Sequence, residues 1–234
     1  MSAKKRRSLS RDRVLRAAIE LADAGGFESL TMRKLARELG VEAMSLYNHV
    51  ANKDDLLDGI VDIVFGEIEP PPPDVDWRTA MRARAISTRD ALRRHPWAIS
   101  LMEARPRPGP ANLQNHEAAL KCLREAGFSH ENTVHAYNVQ DSYIYGFALQ
   151  ERALPTMDTP EGGAQVADRM LPQARATDYP YSHEMVGEHI AKLGFDFTVE
   201  FEFGLDLILD GLETFRANAA SEGRPAPSAP PPAG

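Results

Sequence analysis

The sequence predicts an all-α protein with two domains, and three observations support this fold class. Apolar residues recur three and four positions apart along most of the chain, which is the spacing of amphipathic helices. Two such patterns meet at Gly40 in a short basic N-terminal region, and the proline run Pro70–Pro73 separates that region from a longer one. With 234 residues, 43% of them apolar, the chain is long enough for a small module and a larger helical domain.

Charge is distributed unevenly between these regions. Residues 1–53 hold 11 Lys and Arg against 6 Asp and Glu, whereas the remainder holds 16 against 28. A basic surface attracts nucleic-acid phosphates and an acidic one is repelled by them. We therefore expect any contact with nucleic acid to be made by the N-terminal region.

Composition also sets the predicted boundaries. These are a disordered basic arm at 1–9, a helix-turn-helix domain with a connecting helix at 10–66, a larger helical domain at 77–218 and a disordered Pro-rich tail at 219–234. The arm carries the run Lys4–Arg7, which either keeps the chain soluble or lies along DNA. The tail has too few apolar residues to form a core.

The predicted helices of the N-terminal region begin at residues that cap helices. Ser10 begins the first helix, which ends at Gly25–Gly26, because glycine tolerates the backbone conformations of a helix end. Asn52 begins the connecting helix, and Asp54 and Asp55 in its first turn suit the positive end of the helix dipole.

Between these two helices, the stretch Thr31–His49 reads as a helix-turn-helix. Thr31 caps the first of its helices and Gly40 ends that helix. The second is predicted over Glu42–Val50, with Leu46 turned inward. Six residues are left to point outward: Ala43, Met44, Ser45, Tyr47, Asn48 and His49. A short helix with so small a core face is typical of one that enters the DNA major groove; the alternative is an ordinary helix pair of an all-helical core.

In the larger domain, apolar spacing predicts six helices and one irregular stretch. The helices are Trp77–Arg94, Trp97–Ala104, Asn112–Ala126, Ser129–Ala153, His183–Leu193 and Phe197–Phe215. Residues 155–180 are rich in Pro, Gly and Thr and are predicted to be irregular, with one short helix near Ala164–Met170.

Two of these helices have unusual composition. Polar residues interleave with apolar ones in Ser129–Ala153, and their groups need a ligand, a partner subunit or other side chains as partners. The helix Phe197–Phe215 is apolar nearly all round, which indicates burial against a second subunit. Four of its residues are expected in a two-fold interface: Phe201, Leu205, Ile208 and Leu212.

The sequence lacks the motifs of metal-binding proteins, of common enzyme classes and of membrane or secreted proteins. The chain has a single cysteine, Cys122, and its seven His are scattered, so we expect no disulfide, no metal site and no cofactor. It has no glycine-rich phosphate loop, no metal-binding His spacing and no nucleophile elbow, which argues against an enzyme. It also has no membrane span and no secretion signal, which predicts a cytoplasmic protein. A DNA-binding or architectural protein without a ligand is the alternative to a ligand-responsive regulator.

The run Val14–Leu57, with LTMRKLARELGVEAMSLYNHVANKDDLL at its centre, resembles the DNA-binding domain of the tetracycline-repressor (TetR) family of bacterial transcription regulators. Weaker similarity extends over Ala104–Pro106, Gly127–Asn132 and FGLDLILDGLE in the last helix. The resemblance implies a homodimeric repressor that binds a palindromic double-stranded DNA operator and is released by a small-molecule effector. It also implies that the helices at 129–153 and 197–215 form a four-helix bundle with their two-fold mates.

The resemblance assigns roles within the helix-turn-helix. It implies that Arg33, Ala43, Met44, Ser45 and Asn48 face base edges. It implies that Thr31, Tyr47, His49 and Lys53 contact phosphates. The chemistry of two residues agrees with these roles: Arg33 can bind guanine bidentately, and Ala43 offers apolar contact to a thymine methyl. For Tyr47, packing beneath its own helix is the alternative.

An effector pocket is predicted from helix faces and from the resemblance. Residues four and seven positions apart share a face, which groups Val134, Asn138, Asp141 and Tyr145. The remaining predicted lining residues are Arg84, Thr88, Leu101, Met102, His116, Leu120 and Gln150. Two alternatives stay open: Asp141 pairs with Arg84 in a structural ion pair, or Asn138 bonds across the dimer.

The ligand set of the tetracycline repressors does not carry over to this chain. In those proteins, a histidine and an acidic residue hold the magnesium–tetracycline chelate, and a second histidine and an asparagine make other contacts with the drug. The corresponding positions here hold Leu101 or Met102, Gln150, Glu69 and Arg84. Magnesium requires oxygen ligands, so we expect a different small molecule as the effector.

Overall fold

The computed structural model describes residues 8–104, 107–153, 159–191 and 195–222. These residues form helices, turns and connecting segments, with no strand among them, which confirms the all-α fold class. Of the predicted disordered segments 1–9 and 219–234, residues 1–7 and 223–234 lie outside the described residues, as does the Arg-Pro turn at 105–106. The predicted start of the tail is wrong, because residues 219–222 continue the last helix.

Helices follow one another along the chain with short connections. They are α1 (Arg11–Gly25), α2 (Met32–Leu39), α3 (Ala43–Leu46), α4 (Lys53–Gly66), α5 (Trp77–Arg94), α6 (Ala98–Ala104), α7 (Pro110–Glu125), α8 (His130–Ala153), α9 (Pro160–Met170), α10 (Pro180–Glu184) and α11 (Phe197–Glu222). A 3-10 turn covers Phe27–Ser29, and α10 continues as a π-helical turn over Met185–Ile190.

The predicted helix caps are present in the N-terminal region. The side chain of Ser10 accepts a hydrogen bond from the backbone N–H of Arg13, and that of Thr31 accepts one from Lys34. Asn52 caps α4 in the same way. Gly40 ends α2 in the left-handed conformation, with φ 66° and ψ 38°, where a side chain would introduce strain.

Four helices differ from the prediction by three or more residues at one end. The predicted helix Glu42–Val50 is wrong: α3 spans only Ala43–Leu46, and the chain then turns, with the N–H groups of His49 and Val50 bonded to the carbonyl of Leu46. Helix α9 begins earlier than predicted, at Pro160, because Thr159 caps it. Helix α10 likewise begins at Pro180. Helix α11 continues seven residues past Phe215, through a segment that contains neither Gly nor Pro.

The described chain divides into two compact units. The first contains residues 8–72, 83–119 and 144–153, and the second contains 73–82, 120–143 and the described residues from 159 onward. Helices α5, α7 and α8 each contribute residues to both units. Neither unit is therefore a single continuous segment of the chain, because parts of α5, α7 and α8 belong to each.

In the first unit, α1, α2, α3 and α4 share a small apolar core. Its fully buried members include Val14, Leu35, Leu46, Leu56 and Ile60. The end of α4 is joined to the start of α7 by hydrogen bonds: Asp62 accepts from the backbone N–H of Ala111 at 2.9 Å, and Asn115 donates to the carbonyl of Phe65 at 2.7 Å.

In the second unit, α11 packs against the start of α5 and the first part of α8. Tyr143 of α8 donates a hydrogen bond to the carbonyl of Phe201 at 2.9 Å, and the two rings stack with centroids 5.4 Å apart. Arg82 of α5 pairs with Glu202 at 2.7 Å and with Asp206 at 3.2 Å. These contacts fix which face of α11 is buried within the subunit.

Candidate functional site

The helix-turn-helix presents a continuous exposed surface in the first unit. Met44 and Tyr47 expose 74% and 43% of their surface, and Asn48 is also exposed. Tyr47 therefore does not pack beneath α3, which contradicts the alternative placement for this residue. Large side chains held in solvent at the end of a short helix need a partner to cover them.

The other predicted DNA contacts lie on the same compact module. Thr31, Arg33 and Lys53 are exposed at the starts of α2 and α4. Ala43, Ser45 and His49 are half-buried, so their outward atoms remain accessible at the edges of the same surface. The hydroxyl of Thr31 already accepts a backbone hydrogen bond, which leaves its O–H free to donate to a phosphate.

A clamp that sequence analysis did not identify holds the end of this surface. Arg11 of α1 binds both carboxylate oxygens of Asp55, at 2.7 and 2.9 Å, and donates to the carbonyl of His49 at 3.0 Å. Asp55 also accepts from the backbone N–H of Ala51 at 2.8 Å. The clamp therefore ties the chain after α3 to both α1 and α4.

Electrostatics within the clamp favour the charged forms of both residues. The hydrogen bond from Arg11 lowers the pKa of Asp55, and burial opposes this shift. The hydrogen bond from Asp55 likewise raises the pKa of Arg11. Arg11 and Asp55 are 44 residues apart, so helical periodicity does not predict that they pair. The one indication in the sequence is that they carry opposite charges near the starts of two helices.

The chain enters the module beside α3. Ser8 and Leu9 line a shallow cleft together with Arg13 of α1, Gly40 and Ser45. Ser8 therefore lies beside the start of α1 and the turn between α2 and α3. The basic run Lys4–Arg7 itself lies outside the described residues.

Burial divides the predicted effector residues into three groups. Arg84, Thr88, Leu101 and Asp141 are buried. Met102, His116, Leu120 and Tyr145 are half-buried. Val134, Asn138 and Gln150 are exposed.

The prediction that Val134 and Asn138 share an inward face with Asp141 is wrong. The buried positions of α8 are Thr133, Ala136, Gln140, Asp141, Ile144 and Ala148, and the side chain of Gln140 donates to the carbonyl of Met81. Val134 is turned by about 100° from the buried Thr133, which it follows by one residue, and Asn138 is turned by about 200° from Ala136 and Gln140, which are two residues away. The exposed side of Asn138 is compatible with the alternative that it bonds across a dimer.

The predicted pocket residues are also divided between the two units. Arg84, Thr88, Leu101, Met102, His116, Tyr145 and Gln150 belong to the first unit, and Leu120, Val134, Asn138 and Asp141 to the second. Thr88 is buried and donates to the carbonyl of Arg84 at 2.8 Å, which is a bond within α5.

The predicted interface residues of α11 are mostly wrong. Phe201 and Leu205 are fully buried within the subunit and Leu212 nearly so, while Ile208 is half-buried. The exposed apolar residues form a different row, four positions apart: Val199, Phe203, Leu207 and Phe215, with Gly211 between the last two. We call this row the α11 ridge. The sequence showed an apolar helix but not which side of it packs on α5 and α8.

The described residues were also searched for a metal site, a membrane-spanning helix and a reactive thiol. No group of three or more His, Cys, Asp or Glu side chains is placed there to hold a metal ion. None of the described helices is long and apolar enough to cross a membrane. Burial raises the pKa of the Cys122 thiol, which disfavours the reactive thiolate.

Comparison with known proteins supplies an independent view of both regions. The family description "Bacterial regulatory proteins, tetR family" matches residues 14–60, and "Tetracyclin repressor-like, C-terminal domain" matches residues 69–216. The transcriptional repressor DrrR1 of Streptomyces coeruleorubidus is 36% identical over 229 residues, covering 93% of this chain and 82% of that protein. The class A tetracycline repressor of transposon 1721 from Escherichia coli is 33% identical over 202 residues, covering 85% and 88%. Among solved structures, the TetR family protein ActR of Streptomyces coelicolor, in complex with actinorhodin, superimposes with a TM-score of 0.72 at 30% identity, covering 90% of this chain and 99% of that one.

Proposed function

The chain belongs to the TetR family of transcriptional regulators, and from this premise we propose a specific DNA-reading surface, dimer face and effector region for it. As a member of this family it is a ligand-responsive repressor that binds a palindromic operator as a homodimer. The residues that perform each of these tasks are our proposal, and the proposal assigns no catalytic role to any residue.

The exposed end of α3 carries the proposal for DNA binding. Met44, Tyr47 and Asn48 stand in solvent, and the clamp of Arg11 on the His49 carbonyl and on Asp55 holds the backbone behind them. Held in this way, α3 can enter the major groove without first becoming ordered, which reduces the entropic cost of binding.

Base reading and backbone contact divide among the neighbouring residues. We assign Arg33, Ala43, Met44, Ser45 and Asn48 to base edges. We assign Thr31, Tyr47, His49 and Lys53 to phosphates. These assignments follow the family resemblance, and the chemistry agrees in part: the guanidinium of Arg33 and the amide of Asn48 can discriminate bases in the major groove, whereas the ammonium group of Lys53 binds any phosphate.

The α11 ridge, with the exposed side of α8, is the face we assign to the second copy. Val199, Phe203, Leu207 and Phe215 form an apolar row on α11, and Val134 and Val139 are exposed on α8. Two-fold pairing through these helices buries the row and places two α3 helices on successive major grooves, whose centres lie about 34 Å apart.

The effector region that we propose lies in the first unit. Arg84, Thr88 and Leu101 are buried there, and Met102, His116 and Tyr145 are half-buried. Apolar walls with a few polar groups are typical of small-molecule sites. Relatives with an effector in their names are consistent with such a site: ActR is in complex with actinorhodin, and other relatives are tetracycline repressors. No acidic or histidine ligands replace those of the magnesium chelate at Leu101, Met102 and Gln150, so the proposed effector binds without magnesium.

Selection of bound duplexes from a random DNA pool tests the proposal as a whole. We expect enrichment of a palindrome whose half-site centres are about 10 base pairs apart, or a multiple of one helical turn. A thermal-shift screen of small molecules, followed by operator release in the presence of each stabilising compound, then tests ligand response. Enrichment of no sequence, with only salt-sensitive binding to all DNA, would favour the architectural alternative.

A further inference from the structure

The first turn of α7 is capped by a side chain of another helix. Pro110 is the first residue of α7 and has no N–H, so the helical N–H groups that need a partner there are those of Ala111 and Asn112. One oxygen of Asp62, in α4, accepts a hydrogen bond from both, at 2.9 and 3.2 Å. Most helices take this cap from the residue that precedes them, whereas α7 takes it from α4.

The residue that precedes α7 leaves room for this carboxylate. The carbonyl of Gly109 accepts the first hydrogen bond of the helix, from the N–H of Leu113 at 3.0 Å, which makes Gly109 the N-cap residue. Glycine has no side chain with which to cap the helix itself. A Cβ at position 109 would overlap the carboxylate of Asp62. Glycine at this position therefore allows the close approach of Asp62 to the start of α7.

A second hydrogen bond joins the same two helices about one turn further along each. The side chain of Asn115 donates to the carbonyl of Phe65 at 2.7 Å and to the carbonyl of Ala111, in its own helix, at 3.2 Å. Two bonded positions, each about one turn apart on its helix, oppose rotation of α4 against α7 as well as separation of the two helices.

The capping residue lies two turns along α4 from the clamp at the DNA-reading surface. Asp55 and Asp62 are seven residues apart, so they lie on nearly the same face of α4, about 10 Å apart along its axis. Asp55 binds Arg11, which also holds the carbonyl of His49 behind that surface. The first turn of α4 is therefore tied to the end of α3, and its third turn is tied to α7.

We propose that Asp62 is a positioning residue for operator binding: by capping α7 it fixes the orientation of α4, and through α4 and the Arg11–Asp55 clamp it fixes α3 in the arrangement that the operator requires. The proposal rests on the proposed function and extends it by naming the contact that selects this arrangement. Any orientation of α4 that withdraws Asp62 leaves the N–H groups of Ala111 and Asn112 without their cap. Without the cap, only a fraction of the molecules has α3 in the required arrangement, and operator affinity falls by that fraction.

Operator affinity in two variants of Asp62 and one control tests this role. Asp62→Ala removes the cap and should weaken operator binding about two- to thirtyfold, the range that corresponds to the loss of one helix cap. Asp62→Asn keeps one acceptor oxygen, and asparagine caps helices as well as aspartate does, so it should bind the operator as the wild type does. Thr159→Ala is the matched control: Thr159 caps α9 from within its own segment, so its loss should leave operator affinity unchanged.

A double variant separates the orientation of α4 from the stability of α7. Asp62→Ala removes the carboxylate that would overlap a side chain at position 109, so Gly109→Ser can be combined with it. Serine at the N-cap then caps α7 from within its own segment. The double variant should recover the urea midpoint that Asp62→Ala lowers, but it should not recover operator affinity, because the new cap does not involve α4.

A distance measurement reports the link without DNA. Glu38 in α2 and Gln114 in α7 are exposed, so Glu38→Cys and Gln114→Cys can carry spin labels once Cys122→Ser has removed the single native cysteine. Dilution with unlabelled protein restricts pulsed EPR to distances within one chain. We expect a narrow distance distribution with native Asp62 and in Asp62→Asn, and a broader one in Asp62→Ala and in the double variant.

The outcomes separate the link from the proposed function. A distribution as narrow in Asp62→Ala as with native Asp62 would overturn the link. Recovery of operator affinity together with stability in the double variant would overturn the positioning role, because the cap alone would then account for the loss. If Asp62→Ala does not fold, Gly109→Ala displaces the carboxylate and should broaden the distribution in the same way. Failure of the wild-type protein to select any operator would overturn the proposed function, and with it the role of Asp62 in DNA binding, whatever the distance distribution.

Discussion

The N-terminal module and the α8–α11 pair are held together by contacts of very different range. In the module, each cap joins residues three positions apart: Ser10 with Arg13, Thr31 with Lys34 and Asn52 with Asp55. In the second unit, Tyr143 bonds the carbonyl of Phe201, 58 residues away, and Arg82 pairs with Glu202, 120 residues away. Helix positions are therefore set locally in the module, whereas the orientation of α11 is set by distant residues.

The same contrast applies to the exposed surfaces of the two regions. The end of α3 exposes a mixture of apolar, aromatic and amide side chains, which suits the mixed chemistry of base edges and phosphates. The α11 ridge exposes apolar residues at every fourth position except Gly211, which suits a copy of itself. Variants of each surface should therefore affect different measurements.

Leu207→Glu should have the largest effect, because it places a carboxylate from each subunit in the apolar two-fold face. At about 2 kcal/mol or more for each buried, unpaired charge, the dimer dissociation constant should rise about a thousandfold. Sedimentation over a concentration series measures this constant. Gln114→Glu adds the same charge at an exposed position of α7 and should leave the dimer intact. An unchanged dimer in Leu207→Glu would show that the ridge is not the interface.

Leu205→Ala should show that the opposite side of α11 belongs to the subunit core. Leu205 is fully buried, so its truncation should lower the free energy of unfolding by about 2–5 kcal/mol. Urea unfolding at high protein concentration, where dimers persist, measures the loss. Leu207→Ala is the matched control and should lower dimer affinity more than the stability of the subunit. Equal unfolding losses in the two variants would contradict the assignment of the two faces.

The side of α11 that packs within the subunit could not be predicted from the sequence. Periodicity located α11 and its apolar character, but Phe201, Leu205 and Leu212 were assigned to the wrong partner. An apolar helix can pack by either side, and only the long-range contacts of Tyr143 and Arg82 decide which side faces the subunit core. Val134 and Asn138 on α8 were predicted to face inward and are exposed for the same reason: the side of α8 that is buried is set by contacts with distant residues.

Local chemistry, by contrast, allowed most of the module to be predicted. The caps at Ser10, Thr31 and Asn52 and the left-handed Gly40 are all confirmed. The end of α3 was predicted too late, because the turn at 47–49 has no Gly or Pro to mark it. The Arg11–Asp55 clamp and the contacts of His95 with Asp23 and Glu67 were missed, because each joins elements that are distant in sequence.

Arg33→Ala and Lys53→Ala should separate base reading from backbone contact. Arg33→Ala should weaken operator binding by about 1–3 kcal/mol and relax the preference at one base position. Lys53→Ala should weaken binding to all sequences alike and reduce the salt dependence by roughly one phosphate contact. Binding to a panel of single-base operator variants at several salt concentrations distinguishes the two. A base preference that Arg33→Ala leaves unchanged at every position would refute its assignment.

Of the variants that remove a proposed contact, Asp55→Asn should have the smallest effect. It should lower stability only at pH values at which the wild-type carboxylate is ionised. The pKa of Asp55 is lowered, chiefly by its hydrogen bond from Arg11, so its contribution is present above the ordinary pKa of about 4 and is lost as pH falls through the lower folded value. Arg11 stays protonated throughout. Because the pair is partly exposed, solvent screening limits the expected loss at pH 7 to about 0.5–1 kcal/mol.

Urea unfolding of wild type and Asp55→Asn from pH 7 down to pH 3 measures this contribution. We expect the two curves to converge at acid pH, because the wild-type carboxylate then becomes neutral like the amide. Asp12→Asn is the matched control: its partner Arg16 lies one turn away on α1, and the pair is more exposed than the clamp, so it should change stability less. Asp55→Asn should also weaken operator binding at pH 7, since Arg11 holds the carbonyl of His49 as well. A difference between wild type and Asp55→Asn that stays constant down to pH 3 would mean that the charge of Asp55 is not the source of the clamp's stability.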